Sequence, residues 1–522
     1  MFYLGDGHTL ADIPRIHARE RPSIIAQIFE ERETSYEAFD RHANQVAQGL
    51  IAAGCGPQSR IAYLGRNSDH YFELLFGAIK ARVVLVGVNW RLALPEMSWI
   101  INDAGCEMIF LGPEYRELVP GLRDACPCLR TVIMMEGDAP DCESFASWRD
   151  RQAAIDPMLA IERDDDMLQL YTSGTTGHPK GVQLTHGNYL TLFGAAAQTG
   201  LMDAEPGDPG LVCMPVFHVA GTNIGLLSLA QGGTGIVMRD VDPGRILELI
   251  PRYRVKHLFV VPAVLLFMLQ HPRAASTDFS TVKRFSYGAS PIAEDLLRKG
   301  QAVLQCPFIQ LYGLTETTGA GTYLPPEAHE PERGKLRSCG LPWPGIEIRV
   351  IDTAGNVLPA GEVGEIVIRS GVVMKGYWKR GEATADAIRD EWFYTGDAGY
   401  FDADGYLFIH DRLKDMIVSG GENIYPAEVE NAVFGHPAVA DVAVIGVPDE
   451  KWGEAVKAIV VLKPGATATP EEIIAYTRER IAGYKTPRSI DFIAALPRNP
   501  SGKVLRRELR LPYWEGKQRL VN

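Results

Sequence analysis

Residues 171–181 read YTSGTTGHPKG and follow the apolar run MLQL at 167–170. Glycine frees a backbone to turn and expose its amides, short hydroxyls add donors, and a lysine adds charge. A strand that opens into such a loop is built to hold phosphate. The donors are Thr172, Ser173, Thr175 and Thr176, the turn is released at Gly174, and Lys180 supplies the cation. The loop is not that of a P-loop NTPase, which needs four residues between its glycines and a lysine directly after the second. Here Gly174 and Gly177 are separated by two residues, and Lys180 stands three past Gly177.

On either side of the loop, strand-like and helix-like periods alternate. Residues 36–53 read as a helix stopped by Gly54, 61–65 as a buried strand, 71–80 as a helix and 83–89 as a strand. After the loop come strand-like runs at 211–216, 235–240, 257–262 and 284–290. This pattern predicts an α/β fold: a large N-terminal body of α/β layers with parallel sheets. From about 340 to 411 short β segments broken by Gly and Pro predict a β-rich subdomain of that body. Residues 438–447 and 455–464 read as two strands. TPEEIIAYTRERIAG, at 469–483, reads as a helix with a Thr469–Glu472 capping box, Pro470 in its first turn and Gly483 as its stop. The predicted organisation is a body over 1–411 and a small mobile α+β lid over 412–522, with two strands and two helices.

A chain of 522 residues is long enough for roughly three or four domain-sized units. The net charge of −13 argues against general nucleic-acid binding, which rests on basic surface. The carboxyl-terminal stretch runs the other way: Arg498, Lys503, Arg506, Arg507, Arg510, Lys517 and Arg519 meet only Glu508 and Glu515. That stretch is a candidate anion contact. The 8 cysteines show no CxxC pairing, so a metal or disulfide framework is not expected and a reducing cytoplasm is. The amino terminus mixes charges into its first turns, unlike a signal peptide. The longest apolar stretch, 258–269, is too short to cross a bilayer and contains Pro262.

Four further stretches stand in order after the loop: YGLTETTG at 312–319, YTGD at 394–397, DRLKDMIVSGGENIYPAEVE at 411–430 and PRNPSGKVLRREL at 497–509. With the loop they resemble the adenylate-forming superfamily of acyl- and aryl-CoA synthetases, carrier-protein adenylation domains and firefly-type luciferases. The chain looks most like the bacterial fatty-acyl and aryl-CoA ligases. The resemblance implies ATP, Mg2+ and coenzyme A as cofactors and a small-molecule carboxylic acid as substrate. It leaves a homodimer and peripheral membrane contact open.

The resemblance also assigns roles. Glu316 corresponds to the Mg2+ carboxylate, with Thr315 beside it at the α-phosphate. Thr172, Ser173, Gly174, Thr175, Thr176 and Lys180 form the phosphate loop, Thr176 and Lys180 acting in catalysis. Tyr312 offers a ring to adenine, while Gly288, Ala289, Ser290, Gln310 and Asn423 complete the nucleotide site. Asp397 and Arg412 are the ribose contacts. Lys503 reaches in from the lid to bridge the carboxylate and the α-phosphate. Lys414 is the hinge, and Gly420 and Gly421 would line the coenzyme A channel, with the basic tail near its phosphates. His218 gates the acid pocket, to which Ala220, Gly221, Gly288, Gly313 and Ala320 also belong. Their small size implies a wide apolar pocket and a fatty or bulky apolar acid. The readings that compete are an aryl or hydroxycinnamate ligase, an acyl-AMP ligase that loads a carrier protein and, outside enzymes, an acyl-nucleotide binding protein.

Overall fold

The computed structural model describes residues 8–137, 142–172, 179–412, 415–419, 422–449, 451–498 and 504–515. Ser173, Gly174, Thr175, Thr176, Lys414, Gly420, Gly421 and Lys503 lie outside the described residues, as do the side chains of Arg412 and Asn423.

Two sheets form the body. In one, Asp166–Thr172 lies between Val84–Gly87 and Lys180–Thr185, and Arg60–Leu64, Met108–Leu111 and Thr131–Met134 extend it in parallel. In the other, Phe308–Tyr312, Arg284–Gly288, His257–Val260, Pro209–Val212, Thr234–Val237 and Ile25–Phe29 run parallel side by side. Parallel strands buried on both faces need continuous apolar runs, and MIFL and HLFV supply them. Helix Asp69–Lys80 is buried along its whole length, and Ser68 caps it by accepting a hydrogen bond from the His70 amide. Helix Tyr36–Ala52 begins at Ser35, whose side chain accepts from the Ala38 amide.

The β-rich part is a separate antiparallel sheet of Glu347–Ile351, Gly364–Arg369, Ile388–Arg389, Trp392–Phe401 and Leu407–Arg412. The C-terminal unit holds more than the two strands and two helices expected. Glu422–Ile424, Ile417–Ser419, Gly453–Leu462, Val439–Asp449 and Ser489–Phe492 make one sheet, joined by helices Pro426–Phe434, Pro470–Arg478 and Arg506–Trp514. The Thr469–Glu472 capping box forms, but Gly483 is not the helix stop. The helix ends at Arg478, where the Thr477 hydroxyl bonds back to the Ile473 carbonyl and the amides of Arg480 and Ile481 turn onto the Thr477 carbonyl.

The run at 211–216 is also shorter as a strand than its apolarity implies. Asn67 takes its backbone groups beyond Val212, donating to the Met214 carbonyl and accepting from the Val216 amide.

Candidate active site

The site forms where strands end. Strands Asp166–Thr172, Arg284–Gly288 and Phe308–Tyr312 end at Thr172, Gly288 and Tyr312, each the carboxyl end of its strand. In α/β sheets the crevice beyond these ends is the natural ligand site.

Glu316 sits in the single 3₁₀ turn Thr315–Thr317 and joins two segments remote in sequence. Its Oε1 accepts from the Thr172 hydroxyl at 3.3 Å and from the Tyr377 hydroxyl at 3.0 Å. Its backbone carbonyl accepts from the Met374 amide at 2.8 Å. The Lys180 ammonium lies 4.9 Å from the centre of the Tyr377 ring. The phosphate-loop ends and the LTET turn are therefore neighbours. The other carboxylate oxygen of Glu316 makes no hydrogen bond among the described residues, and no group of three or more His, Cys, Asp or Glu side chains placed to hold a metal ion by themselves stands there or elsewhere among them. This donor set fits a hard divalent cation that takes one carboxylate oxygen and finds its remaining oxygens on phosphate and water.

Beside this lies a crevice of about 670 Å³. Ala289, Ser290, Gln310, Tyr312, Gly313 and Asp397 line it from the body, and Glu428, Asp441, Arg498 and Arg506 from the C-terminal unit. The Tyr312 hydroxyl donates to Asp397 Oδ2 at 2.8 Å, which fixes the edge of the ring. Asp397 is buried and stands opposite Arg412 across the hairpin. Gln310 is buried, and its Oε1 has no hydrogen-bond partner among the described residues. Ala289 adopts a left-handed conformation, φ 66°, a strain that proteins concentrate at ligand sites.

His218 precedes helix Val219–Ala230. Burial, reinforced by the charge of Arg91, pushes its pKa down to about 4, and Nε2 has no hydrogen-bond partner among the described residues. The imidazole is neutral at pH 7.

The small residues assigned to the acid pocket have another reason to be small. A Cβ on Gly288 would lie 2.0 Å from the Leu311 carbonyl oxygen, and one on Gly221 would lie 2.4 Å from the carbonyl oxygens of Met214 and Pro215. On Gly313 it would meet Gly319 backbone at 2.3 Å. Neighbouring backbone fills the space that a side chain would take at these positions. Ala320 is fully buried in the core, whereas Gly313 and Ala220 are partly open, Ala220 packing against the apolar cluster that contains Val261, Val264 and Leu265. The basic tail is likewise engaged: Arg498 pairs with Asp441 at 2.6 Å, Arg506 with Glu430 at 2.9 Å and Arg510 with Asp415 at 2.7 Å. Three of the cations expected to meet an anionic ligand are thus paired with carboxylates of the C-terminal unit, and two of them, Arg498 and Arg506, line the crevice.

The residue that sequence reading missed is Tyr377. Its only signal was an aromatic after Gly376 in a segment with β character; nothing local shows that strand Gly376–Tyr377 pairs with Lys180–Thr185.

A crevice lined by the Tyr312–Asp397 pair and by a smaller C-terminal unit, next to the acidic turn that Thr172 and Lys180 flank, is the arrangement expected of an adenylate-forming enzyme. Comparison with known proteins specifies it further. Residues 15–378 match the AMP-binding enzyme family and 428–503 the AMP-binding enzyme C-terminal domain, and the chain belongs to this family. It is 42% identical to a fatty acid–[acyl-carrier-protein] ligase of Streptomyces coeruleorubidus over 98% of both chains. It is 40% identical to a feruloyl-CoA synthase of an Amycolatopsis species, over 96% of this chain and 98% of that one. Among solved structures it resembles a Mycobacterium tuberculosis fatty acyl CoA synthetase, with 36% identity, a TM-score of 0.77 and coverage of 98% and 99%. The chain is an AMP-forming acid–thiol ligase of the acyl-CoA synthetase type, which uses ATP. No helix among the described residues is long and apolar enough to cross a membrane.

Proposed function

We propose that this ligase activates an aliphatic or bulky apolar carboxylic acid and passes the acyl group to coenzyme A. A carboxylate oxygen attacks the α-phosphorus of ATP and the bond to pyrophosphate breaks. The thiolate of coenzyme A then attacks the acyl carbon, AMP leaves with the bonding electrons, and the thiol proton goes to solvent. Bringing an anion against a polyanion is the hard part, so the protein contributes mainly position and charge. The observation that carries the reading is the meeting of Thr172, Glu316, Tyr377 and Lys180 beside the Tyr312–Asp397 pair.

The roles follow the family resemblance, and the placement of Thr172, Lys180, Glu316, Tyr312 and Asp397 supports them. Thr172 and Lys180 hold the phosphates, together with Ser173, Gly174, Thr175 and Thr176 of the loop between them. Thr315 contacts the α-phosphate. Glu316 would ligate Mg2+, which when bound supplies positive charge to the phosphate oxygens. Asp397 and Arg412 hold the ribose, and Tyr312, Ala289, Ser290 and Gln310 surround adenine, whose exocyclic amine would satisfy the orphan Gln310 oxygen. Lys503 supplies charge from the lid in the first half-reaction, Lys414 is the hinge, and Gly420 and Gly421 leave room for the thiol arm.

Neutral His218 presents no charge at the pocket mouth, and Ala220 opens onto apolar residues, which supports an apolar acid. The eight unpaired cysteines support a reducing, cytoplasmic setting. AMP release, measured with acids from butanoate to octadecanoate and with cinnamates, tests the reading. Acid- and coenzyme A-dependent turnover best on alkyl acids supports it; turnover only with hydroxycinnamates, or only with a carrier protein as acceptor, overturns it.

A further inference from the structure

Lys180 and Glu316 carry opposite charges in the same corner, yet no ion pair joins them among the described residues. The ring of Tyr377 lies against the Lys180 ammonium, 4.9 Å from ring centre to Nζ, while its hydroxyl donates to Glu316 Oε1 at 3.0 Å. One side chain thus engages the cation through its face and the anion through its edge. We infer that Tyr377 is a positioning residue that keeps Lys180 and Glu316 from neutralising each other, so that the ammonium stays available to phosphate and the second carboxylate oxygen to a metal ion. The inference rests on the adenylation reading above.

The surroundings support it. The segment is held on several sides. The Trp378 amide donates to the Gly181 carbonyl at 2.8 Å, and the Trp378 indole donates to the Asp103 carbonyl at 3.0 Å. Arg60 stacks 3.3 Å over the Trp378 ring, and Arg380 pairs with Asp103 at 2.7 Å. Asp103 in turn accepts from the Tyr171 hydroxyl at 2.7 Å, directly before the phosphate loop. A tyrosine fixed this firmly costs little entropy to keep in place, and contacts that orient a metal ligand are worth about 10–100-fold in metal affinity.

Two substitutions separate its two roles. Tyr377→Phe keeps the ring beside Lys180 and loses only the hydrogen bond to Glu316. Tyr377→Leu loses both. Nucleotide binding is measured by calorimetry without acid or thiol, so that no turnover occurs, once with EDTA and once across a Mg2+ series, with thermal unfolding as a folding control. For Tyr377→Phe the expected result is unchanged affinity for metal-free ATP and about a tenfold higher Mg2+ concentration for half-maximal enhancement of binding. For Tyr377→Leu, metal-free ATP also binds more weakly, because Lys180 is drawn onto Glu316. Wild-type affinities in both variants, or equal losses in both with and without metal, overturn the inference while leaving adenylation standing. Wild-type protein that binds no ATP overturns both.

Discussion

At the residue scale, the account gives each charged group at the crevice a separable cost. Glu316→Gln removes the carboxylate charge beside Thr172 and is expected to lower acid-dependent ATP–pyrophosphate exchange by about 10²-fold or more. Lys503→Ala is expected to lose about 10²-fold in acyl-AMP formation, yet to retain thioester formation when supplied with preformed acyl-AMP. Equal loss in both half-reactions would contradict its assignment to the first. Tyr312→Phe removes the 2.8 Å hydrogen bond to Asp397 and should raise the KM for ATP about tenfold, the usual worth of a bond to a charged group, with little change in kcat. Much of this chemistry was legible in the sequence because the reactive residues cluster in short ordered motifs. Tyr377 was not, because its meaning lies in a strand pairing with residues almost two hundred positions earlier.

At the element scale, hydrophobic runs predicted the strands of the body, and the Thr469–Glu472 capping box predicted the start of a helix in the C-terminal unit, since a cap acts through neighbours a few residues away. Boundaries without a glycine or proline to mark them escaped: Asn67, remote in sequence, ends one strand, and a local turn after Thr477 ends a helix before Gly483. Composition likewise showed that Gly221, Gly288 and Gly313 lack side chains but not what fills the space. Backbone fills it, so Gly288→Ala should destabilise the body by about 1–3 kcal/mol through overpacking against Leu311. The readout is a lower unfolding temperature. An unchanged unfolding temperature with an altered acid preference would return Gly288 to the substrate pocket.

At the scale of the whole molecule, buried histidines set the acid limit. Burial pushes the pKa values of His186, His218 and His329 down to about 4 and that of His257 to about 3, and lowers those of His17 and His436. His70 is raised: burial works against it, but the Glu73 carboxylate prevails. A histidine with a lowered folded pKa binds its proton more readily when unfolded, so stability falls as pH drops from about 6.5 towards 4. His70 contributes in the opposite sense, stabilising below about 6.5 and losing that contribution as pH rises through its folded value. The lowered group outweighs it, and the unfolding temperature should fall steadily between pH 6.5 and 4.5; a flat profile there would contradict the burial of these rings. The claim on which the rest depends is that 171–181, the LTET turn and Asp397 form a single nucleotide clamp. Exchange of labelled pyrophosphate into ATP, with and without a fatty acid, tests it most directly. The account predicts exchange that requires the acid and is lost in both Glu316→Gln and Asp397→Ala. Exchange that ignores the acid, or that survives both substitutions, would contradict it.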